Sequence, residues 1–600
     1  MSILAHNSLN SPIQVAAVPY YPTRKLTVLA LDPSVKDGRK ILRTQIEIPN
    51  ETVDTGPKGH RVRIVDYDST SNTLYRTEPV SREINRDDDL PVDPFQDIHD
   101  AALLKLPAFH AWMTYGIVMK TLSRFEFALG RRVRWSFEGH QIQVSPHAFA
   151  DANAFYSDRA QGLFFGYFPS LDAKKTIFTC LSHEVVAHET SHALLDGLRE
   201  RYADPSSPQQ AGFHEAFADI VALLSTFGAE SVTAKLVDLG MPNVSATTIR
   251  RSDMTPDKLR CSALLGLAQE MGSELSGIHG QALRRSAKLP PNTTYLASKE
   301  FHEPHTCGEV LVAAVLNAYL DVWINRLRVI GDASKLDRKR AAQEGAEIAE
   351  RLLTMCIRAI DYCPPTDLQF CDFASAILTA DWELNPLDQK FDIRTSLLRW
   401  FRAYGIEPRS NGLAGRQEGS WDPPPNPEAF HYDRTHFDSM KSDYDELFRF
   451  LWENRALFKL NEQAFTRVLS VRPCVRIGRD GFVLRETAVE YHQRLKVFAS
   501  ELSGLKIRKP VGMPDTTEVT LYGGNAVIFD EYGHVKYNIG NAIMEGGRKE
   551  QERQSERLQY LWDHGAFTKG ASKLRALSRM HLMRRTDWYR SIDSTEDGEE

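Results

Sequence analysis

Cysteine is scarce in this sequence: 7 residues in a chain of 600, with no CxxC pair among them. A zinc ribbon and a redox dithiol are excluded by that spacing. The sparse, odd set points to a reducing compartment with the thiols buried. An excess of charge of one sign is also missing. Lys and Arg number 73 against 79 Asp and Glu, a formal net charge of −6, which argues against a general polyanion binder and against nucleic acid as partner. No uninterrupted apolar run is long enough to span a bilayer. Met1 to Tyr20 lacks a basic stretch followed by a long apolar core, so no secretory signal is visible and a cytoplasmic location is expected. No internal repeat appears.

What is present suits a soluble multidomain protein. The chain is 42% hydrophobic and 25% charged, enough apolar material for several cores. At roughly 100–200 residues per domain, three or four domains are expected. Residues 1–95 read as a β-rich N-terminal region, with Leu26–Leu31 and Arg61–Asp66 strand-like. The acidic, proline-containing stretch Asp87–Pro94 marks a boundary. Residues 96–229 read as an α+β lobe: a helix ending at Gly130, a hairpin of Arg132–Phe137 and Gln141–Val144, a strand at Phe164–Phe168, then helices. Residues 230–407 read as a helical lobe. Residues 408–430, rich in Gly, Pro and Asn, read as a linker, and 431–600 as an α+β accessory domain with a basic helical stretch from about 546 to 590.

The chemistry concentrates in His188-Glu189-Thr190-Ser191-His192. Positions i and i+4 share one helix face, so the two imidazoles can meet on one metal, with Glu189 beside a water bound there. Val185, Val186, Leu194 and Leu198 make the helix apolar, and Ser182 suits its N-cap. A third ligand is needed, and the next helical segment offers Glu215, completing a His₂Glu set with a fourth position open. Asp219, one turn on, can accept the free ring N–H of a ligand histidine. On a surface helix Glu215 and Asp219 would be ordinary solvated carboxylates. Phe213, Phe217, Ile220 and Leu223 around them favour an inward-facing pair. The expected cofactor is Zn2+, which lowers the pKa of its bound water to about 7, with a carboxylate to take the proton.

Val185–Asp196 and Glu215–Asp219 resemble the zinc helices of the thermolysin family, whose members are gluzincin metallopeptidases, and the spacing between them is similar. Asn153-Ala-Phe-Tyr156 resembles the edge strand that holds a peptide backbone in that family. Gly280-Gln-Ala-Leu-Arg284 resembles the segment whose arginine binds the substrate carbonyl, and Glu300–Gly308 resembles the region of the catalytic histidine. The resemblance covers about 150–410 and leaves the flanks uncovered. It implies an α+β, two-lobed core with zinc in the cleft, held by His188, His192 and Glu215, with Glu189 as base and Asp219 orienting His188. It further implies that His305, partnered by Glu300, steadies the oxyanion or protonates, and that Arg284 grips the carbonyl. Asn153 and Ala154 would pair with substrate backbone. Val185 and Leu283 would line an apolar pocket for the residue after the cut bond. His302 competes with His305 for its role, and His305 is preferred because it keeps the family's spacing to Glu300.

The chain departs from the family pattern in places. The usual tyrosine near the oxyanion is not at its spacing, where Asp204–Gln210 stands, and Tyr202 is the candidate. The expected activity is a zinc endopeptidase acting on a peptide or protein. Two alternatives stand beside it: a non-catalytic or gated interaction protein that keeps the metal site, and a gluzincin aminopeptidase, ranked lower because no glycine-rich exopeptidase motif is seen. Retention of Glu189 favours catalysis, since zinc binding alone does not require it.

Overall fold

The computed structural model describes residues 23–76, 92–171, 174–240, 247–250, 255, 259, 286–330, 335–388, 390–410, 416–478 and 480–567. The architecture is α+β. At its centre lies α1 (Pro107–Leu129), with Pro107 in the first turn, where no N–H donor is needed, and a stop at Gly130, whose φ of 67° is left-handed. Its buried residues fall on nearly every face, as in a core helix. Strands β1 (Thr23–Leu29) and β2 (Arg43–Pro49) pair antiparallel with Leu26 opposite Ile46 and lie against α1. Gly116 permits that approach, because a Cβ there would stand 2.5 Å from Leu26 Cδ2.

A mixed sheet covers α1 further along. It comprises β3 (Val62–Ile64), β4 (Ile142–Ala150), β5 (Ala154–Ser157), β6 (Gly162–Pro169) and β7 (Thr176–Phe178), in the order β7-β6-β4-β3 with β5 beside β6. Two expectations are corrected here. The hairpin of 132–137 with 141–144 does not form, because β4 finds parallel partners in β3 and β6 instead. Residues 132–137 run irregularly across the end of the following helix, where a Cβ on Gly197 would meet the Arg134 carbonyl at 2.1 Å. The boundary expected at residue 95 does not separate two cores. β3 belongs to the sheet of the next lobe, and the Leu31 carbonyl accepts the His183 N–H at 2.9 Å.

The helical part follows: α2 (His183–Leu198), α3 (Pro208–Phe227), α4 (Glu230–Gly240), α5 (Pro304–Val329), α6 (Arg338–Ala359), α7 (Phe370–Leu384) and α8 (Ile393–Ala403). By length and composition α5 is apolar enough to cross a membrane, contrary to the sequence reading. Within this fold 89% of its most apolar stretch is buried, packed by α3, α6 and α8, which is the place of a core helix. Gly212 of α3 and Gly308 of α5 meet back to back, since a Cβ on Gly308 would lie 2.8 Å from the Gly212 carbonyl.

Beyond residue 430, α9 (Tyr444–Glu453) precedes an antiparallel meander of β8 (Phe465–Ile477), β9 (Val483–Phe498), β10 (Glu518–Phe529) and β11 (Val535–Asn541), then α10 (Arg548–Asp563). Leu447, Phe450 and Leu451 of α9 pack on Val489, Val527 and Phe529, and Leu558 of α10 joins a separate cluster with Leu495 and Leu521. The sheet meets the helical part through buried ion pairs. Arg131 makes a two-pronged contact with Asp361 at 2.6 and 2.7 Å, Arg476 bridges Asp361 and Glu486, and Arg199 pairs with Glu490 at 2.5 Å. Burial would raise the Asp361 carboxyl, but Arg131, Arg476 and Arg199 outweigh it and hold it well below the usual carboxylate range. The segment expected as a free linker lies against the helices in its described part: Trp421 Nε1 donates to the Tyr362 carbonyl at 2.9 Å.

Candidate metal centre

Helix α2 carries the first ligands. Ser182 caps it, its hydroxyl accepting the Val185 N–H, and the helix is buried over almost its whole length. Thr190 and Ser191 return their hydroxyls to carbonyls one turn back, so neither brings an unmet polar group into the interior. His188 and His192, one turn apart, bring their Nε2 atoms to 2.9 Å, with the rings perpendicular. α3 packs against this face and supplies Glu215, whose two carboxylate oxygens lie 3.8 Å from His188 Nε2 and 3.8 Å from His192 Nε2. The three side chains form one buried group able to hold a metal ion. Ligands about 2.0–2.2 Å from a tetrahedral zinc stand roughly 3.3–3.5 Å from one another. The separations, 2.9 Å between the nitrogens and 3.8 Å from each nitrogen to one or other Glu215 oxygen, lie on either side of that value, and two imidazoles with a carboxylate are a donor set that zinc accepts.

The outer contacts are equally specific. Asp219 Oδ1 lies 2.8 Å from His188 Nδ1, both residues being buried, so the carboxylate sits on the side of the ring away from the ligand triangle. That is the usual second support of a metal-binding imidazole. His192 Nδ1 meets His214 Nδ1 at 2.7 Å, and the two rings stack. His214 was not singled out from the sequence. Its place one residue before Glu215 is the signal that could have found it.

Glu189 points to strand β5. The Tyr156 N–H donates to Glu189 Oε2 at 2.9 Å, and the Tyr156 hydroxyl donates to Asp196 Oδ2 at 2.9 Å, two turns further along α2. Tyr156 therefore straps β5 to α2 at two points, a role missed in the sequence. Burial and the Asp196 charge push its phenol well above the ordinary value, so it stays a donor. Asn153 pairs its carbonyl with Gly166 of β6 and uses its side-chain oxygen to accept the Ala154 N–H, a local contact. By strand alternation the backbone groups of Ala154 and Tyr156 face the other edge of β5, toward Glu189.

His305 stands in the first turn of α5, its Nδ1 3.0 Å from Glu215 Oε2. The Gly212–Gly308 contact lets α5 come this close to α3. His302 is exposed on the preceding 3-10 turn. Glu300, expected to partner His305, is corrected: it is exposed on that same turn and makes no hydrogen bond or ion pair among the described residues. Glu303 lies two residues before His305 in the chain. It caps α5 by accepting the Thr306 N–H at 2.8 Å. Burial raises its carboxyl, but the Thr306 N–H and the charge of His305 hold it below its ordinary value. Tyr202 is also corrected. It is wholly buried and its hydroxyl donates to the Pro364 carbonyl at 2.6 Å, so it cannot serve an oxyanion. Val185 is buried in the first turn of α2. Arg284 and Leu283 lie outside the described residues. Cys307 is buried beside His305, and burial pushes its thiol up to about 12, which keeps it protonated and inert. Compared with protein-family models and with curated proteins, the chain matches none.

Proposed function

We propose that this protein is a zinc-dependent peptidase with a thermolysin-like site, cutting peptide bonds within a chain and preferring an apolar residue after the cut. The observation that supports it most is the placement of Glu189. It is carried on the same helix as His188 and His192, is buried, and accepts the backbone N–H of Tyr156 from the neighbouring strand β5. A site that only stored metal would need no such group.

His188, His192 and Glu215 would hold the zinc. When bound, the ion supplies Lewis acidity, bringing a water's pKa to about 7 and polarising a carbonyl. Glu189 accepts the proton from the attacking water and returns it to the departing amine, with the Tyr156 N–H fixing one of its oxygens. The edge of β5 beside Glu189 would offer the Ala154 carbonyl to an extended peptide lying along it. His305 donates a hydrogen bond to negative charge developing on the carbonyl oxygen. Asp219 and His214 keep the two ligand rings turned inward.

The test is cleavage of a mixed peptide library by the zinc-loaded full chain beside Glu189→Gln. The wild type is expected to cut before apolar residues, and the variant to lose on the order of 10²–10⁴-fold in rate while retaining its zinc. Equal cutting by both, or none by the zinc-loaded wild type, would sink the proposal.

A further inference from the structure

A second buried group of ligand-type side chains lies under the sheet, made by none of the residues of the first centre. We propose that His110, His147 and Cys180 bind a second transition-metal ion, a borderline-to-soft cation of the zinc class. It would tie α1, β4 and the turn preceding α2 together.

The three donor atoms lie within 4.8 Å of one another and all three residues are buried. The hydrogen bonds around them fix which ring atoms are free to bind. His147 Nδ1 faces Asp66 Oδ2 at 2.8 Å, and a carboxylate can only accept, so this nitrogen donates. His110 Nε2 faces the Leu104 carbonyl at 2.9 Å and must donate as well. Both outward nitrogens are thus committed as donors. The inward nitrogens, His147 Nε2 and His110 Nδ1, meet at 2.8 Å, and two neutral rings would there point lone pair at lone pair. One cation between them resolves the clash. Carboxylate and backbone carbonyl are the acceptors that ordinarily orient metal-binding histidines. Asp66 is itself anchored, its other oxygen taking the His147 N–H at 3.0 Å.

Cys180 supplies the third donor. Thiolate with two imidazoles selects zinc or copper(I) over magnesium or calcium, which take oxygen ligands. A tetrahedral zinc would need the two nitrogens about 3.3–3.5 Å apart, a shift of roughly half an ångström. An exchangeable fourth ligand has a route: a cavity of about 1610 Å³ is lined by His110, His147 and Phe178 and reaches exposed Lys105 and Lys174. Cys180 stands two residues before the Ser182 cap of α2, so the ion would brace the start of the helix that carries His188 and His192.

The experiment is metal counting on the full chain loaded with Zn2+ and dialysed, with Co2+ as the optical probe. The first centre has no sulfur ligand, so a thiolate-to-cobalt charge-transfer band reports the second alone. Wild type is expected to hold two ions per chain and to show the band. His188→Ala should keep one ion and the whole band. Cys180→Ser should keep one ion and lose the band, while Cys356→Ser changes neither. If Cys180→Ser does not fold, the band and the single ion in His188→Ala decide the matter. No thiolate band in the wild type, an ion count that Cys180→Ser leaves unchanged in folded protein, or a band that survives that substitution would overturn the proposal and leave a shared proton between the rings. Peptidase activity enters none of these readings, so the second site stands or falls separately from the first.

Discussion

Replacing Asp219 by Asn tests whether the contact to His188 supports a metal ligand or merely fills space. The side chains are nearly isosteric, so packing on α3 is preserved and only the charge is removed. In the structure Asp219 Oδ1 is 2.8 Å from His188 Nδ1, and both residues are shielded from water at 3% and 4% exposure. Solvent therefore screens little of the attraction. Loss of such an outer partner typically costs 10–100-fold in metal affinity. Burial places this case toward the upper figure, about 2.8 kcal/mol at about 1.4 kcal/mol per tenfold. The assay is competition for Zn2+ against a chromophoric chelator, with circular dichroism confirming the fold. Asp238→Asn is the control, because its pairing with Arg338 is half-exposed and contains no ligand. A zinc affinity for Asp219→Asn within about twofold of wild type would refute the supporting role assigned to that carboxylate.

Further expectations follow from other contacts. Gly308→Ala places a methyl 2.8 Å from the Gly212 carbonyl and 3.2 Å from Ala216 N. It should push α5 off α3, cost about 1–3 kcal/mol in urea unfolding, and lower peptide turnover while leaving the zinc count at the His188 centre intact. Asp361→Asn leaves Arg131 and Arg476 buried without their shared partner and should destabilise by about 3–5 kcal/mol near neutral pH. Because the folded Asp361 carboxyl titrates below its unfolded value of about 3.9, its contribution is complete above that pH and is lost as pH falls through the folded value. The wild-type advantage in thermal scans should thus shrink on strong acidification. His183 is driven down to about 3 by burial, with Arg124 adding to the effect, so it is neutral in the fold and must charge on unfolding. Its penalty is absent above about pH 6.5 and grows as pH falls toward 3, so His183→Gln should flatten the loss of stability over that window.

Much of the metal centre could be read along the chain because helices impose it locally. His188 and His192 share a face through their four-residue spacing, as do Glu215 and Asp219, and the apolar residues beside each pair turn those faces inward. Ser182 as a cap is equally local. Glu300 shows where this reasoning stops. The 3-10 turn at Lys299–His302 carries its side chain outward, and the extended residue Glu303 then redirects the chain into α5. Tyr202 shows the same limit, since its hydroxyl is taken by a carbonyl of Pro364, far along the chain. The hairpin expected at 132–144 was a sound local pattern overridden by parallel neighbours that the chain reaches only after long connections.

The α+β content and the ligand-bearing helix α2 follow from short-range periodicity and capping. Distant meetings set the remainder. Tyr156 reaches Glu189 and Asp196 across a strand–helix contact, and His305 reaches Glu215 because two glycines let α3 and α5 touch. His110, His147 and Cys180 converge from a helix, a strand and a turn with no spacing motif to announce them. Side-chain periodicity is a property of neighbours along one element, whereas a site assembled across elements depends on how their surfaces pack, and that is settled only when the whole core closes.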